Sequence, residues 1–275
     1  MRKLFVSDLD GTLLDSDKTI SEKSRGIINA LIASGYDFTI ATARTQASAF
    51  KILEGVKLKV PIILMNGVMV YDPVINKYIK CEYICRQRVS EIIELLYRYG
   101  IDCFLYRLEK SSFSVFYEKL GNANMEEFYN ERRKKYYKSF TKTDSLMECA
   151  DGFTAYMTIL DSKDKILPVC GQLDKMKDIR YEFYKDIYSE NTWYLEIFSC
   201  AASKLNALIY LRERNKYDYI TAFGDNLNDL PLFEGADYKI AVSNANEELK
   251  NAADEIIGCN NDNAVADWLY EKYLK

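Results

Sequence analysis

The chain has 275 residues, 48% of them hydrophobic, which is ample for a core and by length suggests about two domains. Its 37 basic and 41 acidic residues leave a net charge of −4, so nothing supports an electrostatic nucleic-acid footprint. Histidine is absent altogether, which excludes Ser-His-Asp and Cys-His catalysis and any histidine-ligated metal within this chain.

The first segment alternates strand and helix signals. Lys3 to Leu9, built on the apolar run Leu4-Phe5-Val6, reads as a buried strand; Ser21 to Ala33, with Ile27, Ile28, Leu31 and Ile32 on one side and Gly35 after its end, reads as a helix. Tyr36 to Thr42 is a second predicted strand, Gln46 to Leu53 a second helix and Pro61 to Met65 a third strand, which stops at the turn signal Asn66-Gly67. Val68 to Tyr71 and Lys77 to Cys81 form a predicted hairpin. Repeated βα units argue for a parallel sheet with right-handed crossovers.

From about residue 83 to 190 the pattern changes to charged helices (Val89 to Tyr99, Met125 to Lys135) and tyrosine-rich strands (Cys103 to Tyr106, Ser114 to Tyr117, Thr154 to Leu160, Tyr181 to Tyr184). The run Arg132-Arg133-Lys134-Lys135 reads as a solvated helix face. After Tyr194-Leu195-Glu196-Ile197 the first pattern returns. Ser203 caps a helix to Asn215, Tyr219 to Phe223 and Tyr238 to Val242 are strands, and Ala264 to Tyr273 is a closing helix. The expectation is an α/β protein with a Rossmann-like parallel-sheet core, residues 1–82 and 191–275, interrupted by a smaller inserted α/β domain, residues 83–190. Seven scattered cysteines without a pairing pattern read as reduced thiols of a cytoplasmic protein. No uncharged run reaches the ~18 residues of a membrane span, and Asp8 and Asp10 interrupt any apolar signal region at the amino terminus.

The chemistry gathers at predicted strand ends. Asp8-Leu9-Asp10-Gly11-Thr12 follows the first strand, so two carboxylates spaced i and i+2 project to one side and Gly11 permits a sharp turn. Open α/β sheets bind ligands at that edge. Two close carboxylates need a cation or proton between them, and oxygen-ligated Mg2+ suits a chain without histidine. An aspartate can attack phosphorus to give an acyl phosphate, with Asp8 as the nucleophile and Asp10 as acid and then base. Thr42, ending the strand in Ile40-Ala41-Thr42-Ala43-Arg44, offers a hydroxyl for phosphate oxygens. Lys204, opening a helix, offers a cation to phosphate and to Asp8. Gly224-Asp225-Asn226-Leu227-Asn228-Asp229, after another strand, adds two carboxylates and two amides, a set that suits a hydrated divalent cation.

In this order and spacing the motifs resemble the haloacid dehalogenase superfamily, and the long insertion with the ending Ala241-Val242-Ser243-Asn244-Ala245 through Leu269 resembles its Cof-type branch. The resemblance implies a Mg2+-dependent phosphatase in which the carboxylates of Asp8 and Asp225 and the backbone carbonyl of Asp10 hold the metal. It implies phosphate binding by Thr42, Lys204 and Asn228, a supporting part for Asp229, Gly11, Thr12 and Arg44, and a turn at Asn66 and Gly67 beside the site. Ala43 and Leu205 stand where such relatives usually carry glycine. The inserted domain is implied to be a cap that covers a small phosphorylated metabolite, with sugar phosphates favoured, in a monomer or weak homo-oligomer. The cap tyrosines are expected mostly to fill a small core. The alternatives are a phosphomutase of the same superfamily, whose cap usually lies between the first two motifs, and a non-enzymatic phospho-acceptor module, which would lack an acid–base residue at position 10.

Overall fold

The computed structural model describes residues 1–109, 112–136, 140–185 and 192–275. In chain order the first segment holds β1 (Lys3–Ser7), α1 (Glu22–Ala33), β2 (Asp37–Ile40), α2 (Gln46–Ile52), β3 (Ile62–Leu64), β4 (Met69–Asp72) and β5 (Lys77–Cys81). The middle segment holds α3 (Arg86–Arg98), β6 (Phe104–Glu109), β7 (Ser112–Tyr117), α4 (Ala123–Tyr136), β8 (Phe140–Lys142), β9 (Thr154–Asp161), α5 (Lys163–Leu173), β10 (Ile179–Lys185) and β11 (Trp193–Ser199). The last holds α6 (Lys204–Asn215), β12 (Tyr219–Gly224), α7 (Leu230–Glu234), β13 (Tyr238–Val242), α8 (Glu247–Ala252), β14 (Glu255–Ile257) and α9 (Ala264–Tyr273).

Two compact units result, one from Met1–Lys80 with Ala202–Lys275 and the other from Cys81–Ala201. The first is built on a five-stranded sheet of order β14-β13-β12-β1-β2, parallel throughout. A parallel bridge from Ala41 to Ile63 ties it to the small sheet β3-β4-β5. The run Leu4-Phe5-Val6 is fully buried because β1 is a central strand covered on both faces. Parallel pairing aligns the carboxyl ends of β1 and β12, with Ser7 opposite Phe223, so Asp8 and Asp225 leave the sheet at the same edge. Ser21 caps α1 by accepting from the Ser24 amide, and Ser203 caps α6 by accepting from the Asn206 amide.

The second unit is a six-stranded sheet of order β10-β11-β9-β6-β7-β8, antiparallel except at β7–β8. One face packs Val89, Ile92 and Leu96 of α3 and Ile166, Val169 and Leu173 of α5 against Leu105, Met157, Ile159 and Ile197. Tyr106 and Tyr156, on neighbouring strands, are buried and stacked with ring centres 3.9 Å apart, whereas Tyr97, Tyr99 and Tyr184 are exposed. The tyrosines of this unit thus divide between filling and surface.

Several expectations are revised. The strand Trp193–Ser199 pairs with β9 and β10 and belongs to the second unit, not to a core resuming at residue 191. The expected boundary at 190 and 191 lies outside the described residues. Arg132 is not simply solvated, because its guanidinium sits 3.6 Å from the centre of the Phe128 ring; Arg133 and Lys134 are exposed, and the Lys135 side chain lies outside the described residues. All seven cysteines are free thiols. No helix among the described residues is long and apolar enough to cross a membrane.

Candidate active site

The loop after β1 sets the geometry. Asp8 is anchored by its own amide, which donates to the Phe223 carbonyl of β12 at 3.0 Å. Leu9–Leu13 is then closed on itself by the Leu14 amide bonding the Leu9 carbonyl at 2.9 Å. The turn needs Gly11 for two reasons. Its φ is +82°, and a Cβ there would lie 2.4 Å from Asp225 Oδ2. The loop backbone is therefore pressed directly against the Asp225 carboxylate, whose Oδ1 accepts from the Thr12 hydroxyl at 2.8 Å.

Lys204 is 1% exposed, and its ammonium donates to Asp8 Oδ1 and to Asp229 Oδ1, each at 2.6 Å. A lysine is buried so completely only when paired. Asp229, also inaccessible, uses its other oxygen to accept from the amides of Asp225 and Asn226 at 3.0 and 3.2 Å. Gly224 is required just before, since a Cβ would meet Asp229 Cβ at 2.7 Å. Asp229 is thus a bracket: it shapes the loop of Asp225 and positions the lysine that serves Asp8.

Asp8, Asp225 and Asp229 form a cluster in which one carboxylate oxygen of each lies within 4.8 Å of the others. Three carboxylates face one lysine, so the cluster carries an excess of two negative charges when ionised. Burial pushes Asp8 well above the usual carboxylate range, Lys204 opposes the rise, and Asp229 adds to it. Asp225 is pushed up to about 6, mainly by burial, against the Thr12 hydrogen bond. Lys204 is raised by its two carboxylates, which outweigh the burial that opposes it.

Asp10 does not join this cluster, although strand alternation suggested that both carboxylates would converge. Its side chain is clamped by the guanidinium of Arg44, with Nε 2.6 Å from Oδ2 and the second nitrogen on Oδ1. Arg44 is itself braced by Ser48 Oγ at 3.0 Å. Thr42 is buried at the end of β2, its hydroxyl accepting from the Arg44 amide at 3.1 Å and its own amide bonding Ile63. Met65, Asn66 and Gly67 are three successive left-handed residues. They place Asn66 Oδ1 3.4 Å from Asn228 Nδ2, and Gly67 against the Ser203 carbonyl that opens α6. Every candidate residue therefore falls at one edge of the first unit, drawn from β1, β2, β3, α6 and β12.

Two residues that sequence reasoning passed over also reach this edge. Asn244 Nδ2 donates to the Gly11 carbonyl at 2.8 Å, and Asn260 Nδ2 donates to the Leu14 carbonyl at 2.8 Å. Asn244 lies in a motif visible in the sequence, but a hydrogen bond to a backbone so far away in the chain leaves no local signal.

With the geometry in hand, the kinship of the chain is clear. The family model of haloacid dehalogenase-like hydrolases matches residues 5–269, and the chain belongs to that family. It is similar to the pyridoxal phosphate phosphatase YbhA of Escherichia coli (25% identical, covering 99% of each chain). It is also similar to the phosphatase YwpJ of Bacillus subtilis (26% identical, covering 96% of this chain and 97% of the relative). Among solved structures, TM0651 from Thermotoga maritima superposes with a TM-score of 0.80 at 29% identity, covering 98% of this chain and 97% of that one. The protein is a phosphatase of this family.

Proposed function

We propose that the protein is a Mg2+-dependent phosphomonoesterase acting on small phosphorylated metabolites, with Asp8 as nucleophile and Asp10 as the proton carrier. The observation that carries this reading is the buried pairing of Asp8 with Lys204 beside Asp225. It presents a carboxylate whose charge is compensated at the sheet edge where the phosphate would bind.

The donor set fits a hard divalent cation. Asp229 has both oxygens committed, whereas Asp8 Oδ2 and Asp225 Oδ2 accept no hydrogen bond among the described residues. Asp8 and Asp225 would therefore hold the ion, with the Asp10 carbonyl that the family resemblance implies. When bound, Mg2+ offsets the repulsion between carboxylate and phosphate and the charge on the transferring group. The remaining work belongs to the chain. Asp8 attacks phosphorus as the ester P–O bond breaks, and Asp10 gives a proton to the departing alkoxide. Asp10 then takes a proton from water, which attacks phosphorus, and the bond to Asp8 breaks to release inorganic phosphate. Lys204, Thr42 and Asn228 would bind the phosphate oxygens. Arg44 orients Asp10, and delivery of the first proton requires Asp10 to leave that clamp. The inserted unit would serve as the specificity domain, with sugar phosphates the favoured substrates; among its relatives, YitU of Bacillus subtilis is a 5-amino-6-(5-phospho-D-ribitylamino)uracil phosphatase.

The test is turnover of para-nitrophenyl phosphate with and without Mg2+. Asp8→Asn is expected to fold, to bind phosphate and to show no turnover, and acid quenching of the wild type is expected to trap phosphate on Asp8. Retained turnover in the variant would remove Asp8 from the nucleophile's role. A panel of phosphorylated metabolites at fixed Mg2+ then identifies the leaving group.

A further inference from the structure

The segment Ala241-Val242-Ser243-Asn244-Ala245 takes no part in the steps above, yet it reaches both loops that carry them. Asn244 follows β13. Its Nδ2 donates to the Gly11 carbonyl at 2.8 Å, and its Oδ1 accepts from the Asn260 amide at 3.0 Å. Asn260, nearly inaccessible, extends its own Nδ2 to the Leu14 carbonyl at 2.8 Å. Two residues beyond Asn244, the Asn246 amide donates to the Asp225 carbonyl at 2.7 Å. Asn244 and Asn260, bonded to each other, thus hold the two ends of Gly11–Leu14, while Asn246 holds the loop of Asp225.

We infer that Asn244, acting with Asn260, is a positioning residue for the loop that bears Asp8 and Asp10, and through it for cation binding; the cation part rests on the phosphatase reading above. Gly11 is the most deformable point of that loop, because no side chain restricts its backbone. It is also the point pressed against Asp225 Oδ2. A rotation of the Gly11–Thr12 peptide would break the Thr12–Asp225 hydrogen bond and change the spacing of Asp8 and Asp225. The Asn244 amide prevents this by holding the Gly11 carbonyl in one direction. Packing does not explain Asn244, whose side chain is exposed and whose removal would leave no cavity. Both ends of its amide are used, one as donor and one as acceptor. Asn244→Asp, of nearly the same shape, keeps the acceptor for Asn260 but sets an oxygen against the Gly11 carbonyl.

The experiment compares Asn244→Asp and Asn244→Ala with the wild type and with Asn261→Ala. Asn261 bonds Ser16 on the same stretch but outside the site. Three quantities are read: hydrogen exchange of peptides covering residues 9–14 in metal-free protein, the Mg2+ concentration that half-saturates the rise in melting temperature, and kcat and KM for para-nitrophenyl phosphate. Both Asn244 variants are expected to exchange faster over 9–14. They are expected to need about 10-fold more Mg2+ and to lose about 10-fold in kcat, the scale seen when groups that orient metal ligands are removed, with KM little changed. Asn261→Ala is expected to match the wild type. Unchanged exchange over 9–14, or a lower melting temperature with Mg2+ half-saturation and kcat intact, would overturn the assignment. A wild type that ignores Mg2+ while the Asn244 variants loosen residues 9–14 would instead remove the cation reading and leave the hold of Asn244 on the loop standing.

Discussion

At the scale of single residues, the carboxylate of Asp225 is held half-buried at a cost to the metal-free fold. Its carboxyl is raised to about 6 from 3.8. Between those values the folded chain keeps a proton that the unfolded chain has released; above about 6 both are ionised, and the folded state bears the cost of a buried charge. The contribution of Asp225 to metal-free stability therefore falls as pH rises through this window. Asp225→Asn is expected to melt close to the wild type at about pH 4 and above it at about pH 7 in chelator, while losing its response to Mg2+. A variant less stable than the wild type at about pH 7 would contradict this. Asp10→Asn, which removes the proposed proton carrier, is expected to slow turnover by about 10²-fold or more with phosphate inhibition retained; an unchanged rate would point to another donor. That Asp8, Lys204 and Asp225 meet at one edge was legible, because their motifs follow predicted strands and open a predicted helix; that Asp10 turns away from them was not. Nor were the commitment of both Asp229 oxygens and the clamp of Arg44 on Asp10, since each depends on side-chain directions that only tertiary contacts fix.

Among the elements, the turn after β3 is held by both backbone conformation and close packing. Met65, Asn66 and Gly67 have φ values of 52°, 51° and 96°. A Cβ on Gly67 would lie 2.1 Å from the Ser203 carbonyl oxygen, which is backbone and cannot swing aside. Gly67→Ala is therefore expected to destabilise the protein by about 2–4 kcal/mol and to displace the start of α6, and with it Lys204. Chemical denaturation and kcat measured together check this, and a variant with wild-type stability would show that the contact relaxes freely. Asn66-Gly67 was readable as a turn, but the left-handed Met65 was not, because it ends an apolar run that reads as strand. The helix α5 escaped for the opposite reason. Pro168 and Gly171 argue against a helix there, and a proline inside one costs about 3 kcal/mol. The buried stripe Ile166, Val169, Cys170 and Leu173 outweighs that local preference. β14 is three residues long, too short to show a period.

For the whole molecule, the division into two units with separate sheets has a calorimetric consequence. Each sheet closes within its own unit, so unfolding need not be a single all-or-none event. Scanning calorimetry is expected to resolve two transitions, and Mg2+ with phosphate is expected to raise only the one belonging to the unit that contains Asp8, since a ligand stabilises what binds it. A single transition that moves as a whole would show that the units unfold together. The parallel core and the existence of an insertion followed from the alternation of βα signals and its interruption. The exit of the insertion did not, because the run Tyr194 to Ile197 reads as a strand without saying which sheet it joins.

The strand β1, which leads into Asp8, lies between β2 and β12, and its Lys3 is the register partner of Tyr219. On the ribosome, β2 emerges soon after β1, but β12 follows only after the entire insertion has been made. The inserted sheet needs no strand from outside itself, so it can form while β1 still lacks one neighbour. Throughout that interval the nascent chain carries an apolar strand with an open edge, the kind of template that captures other chains. The same order of synthesis that completes the Asp8–Asp225 edge late leaves the edge of β1 unpaired until β12 arrives.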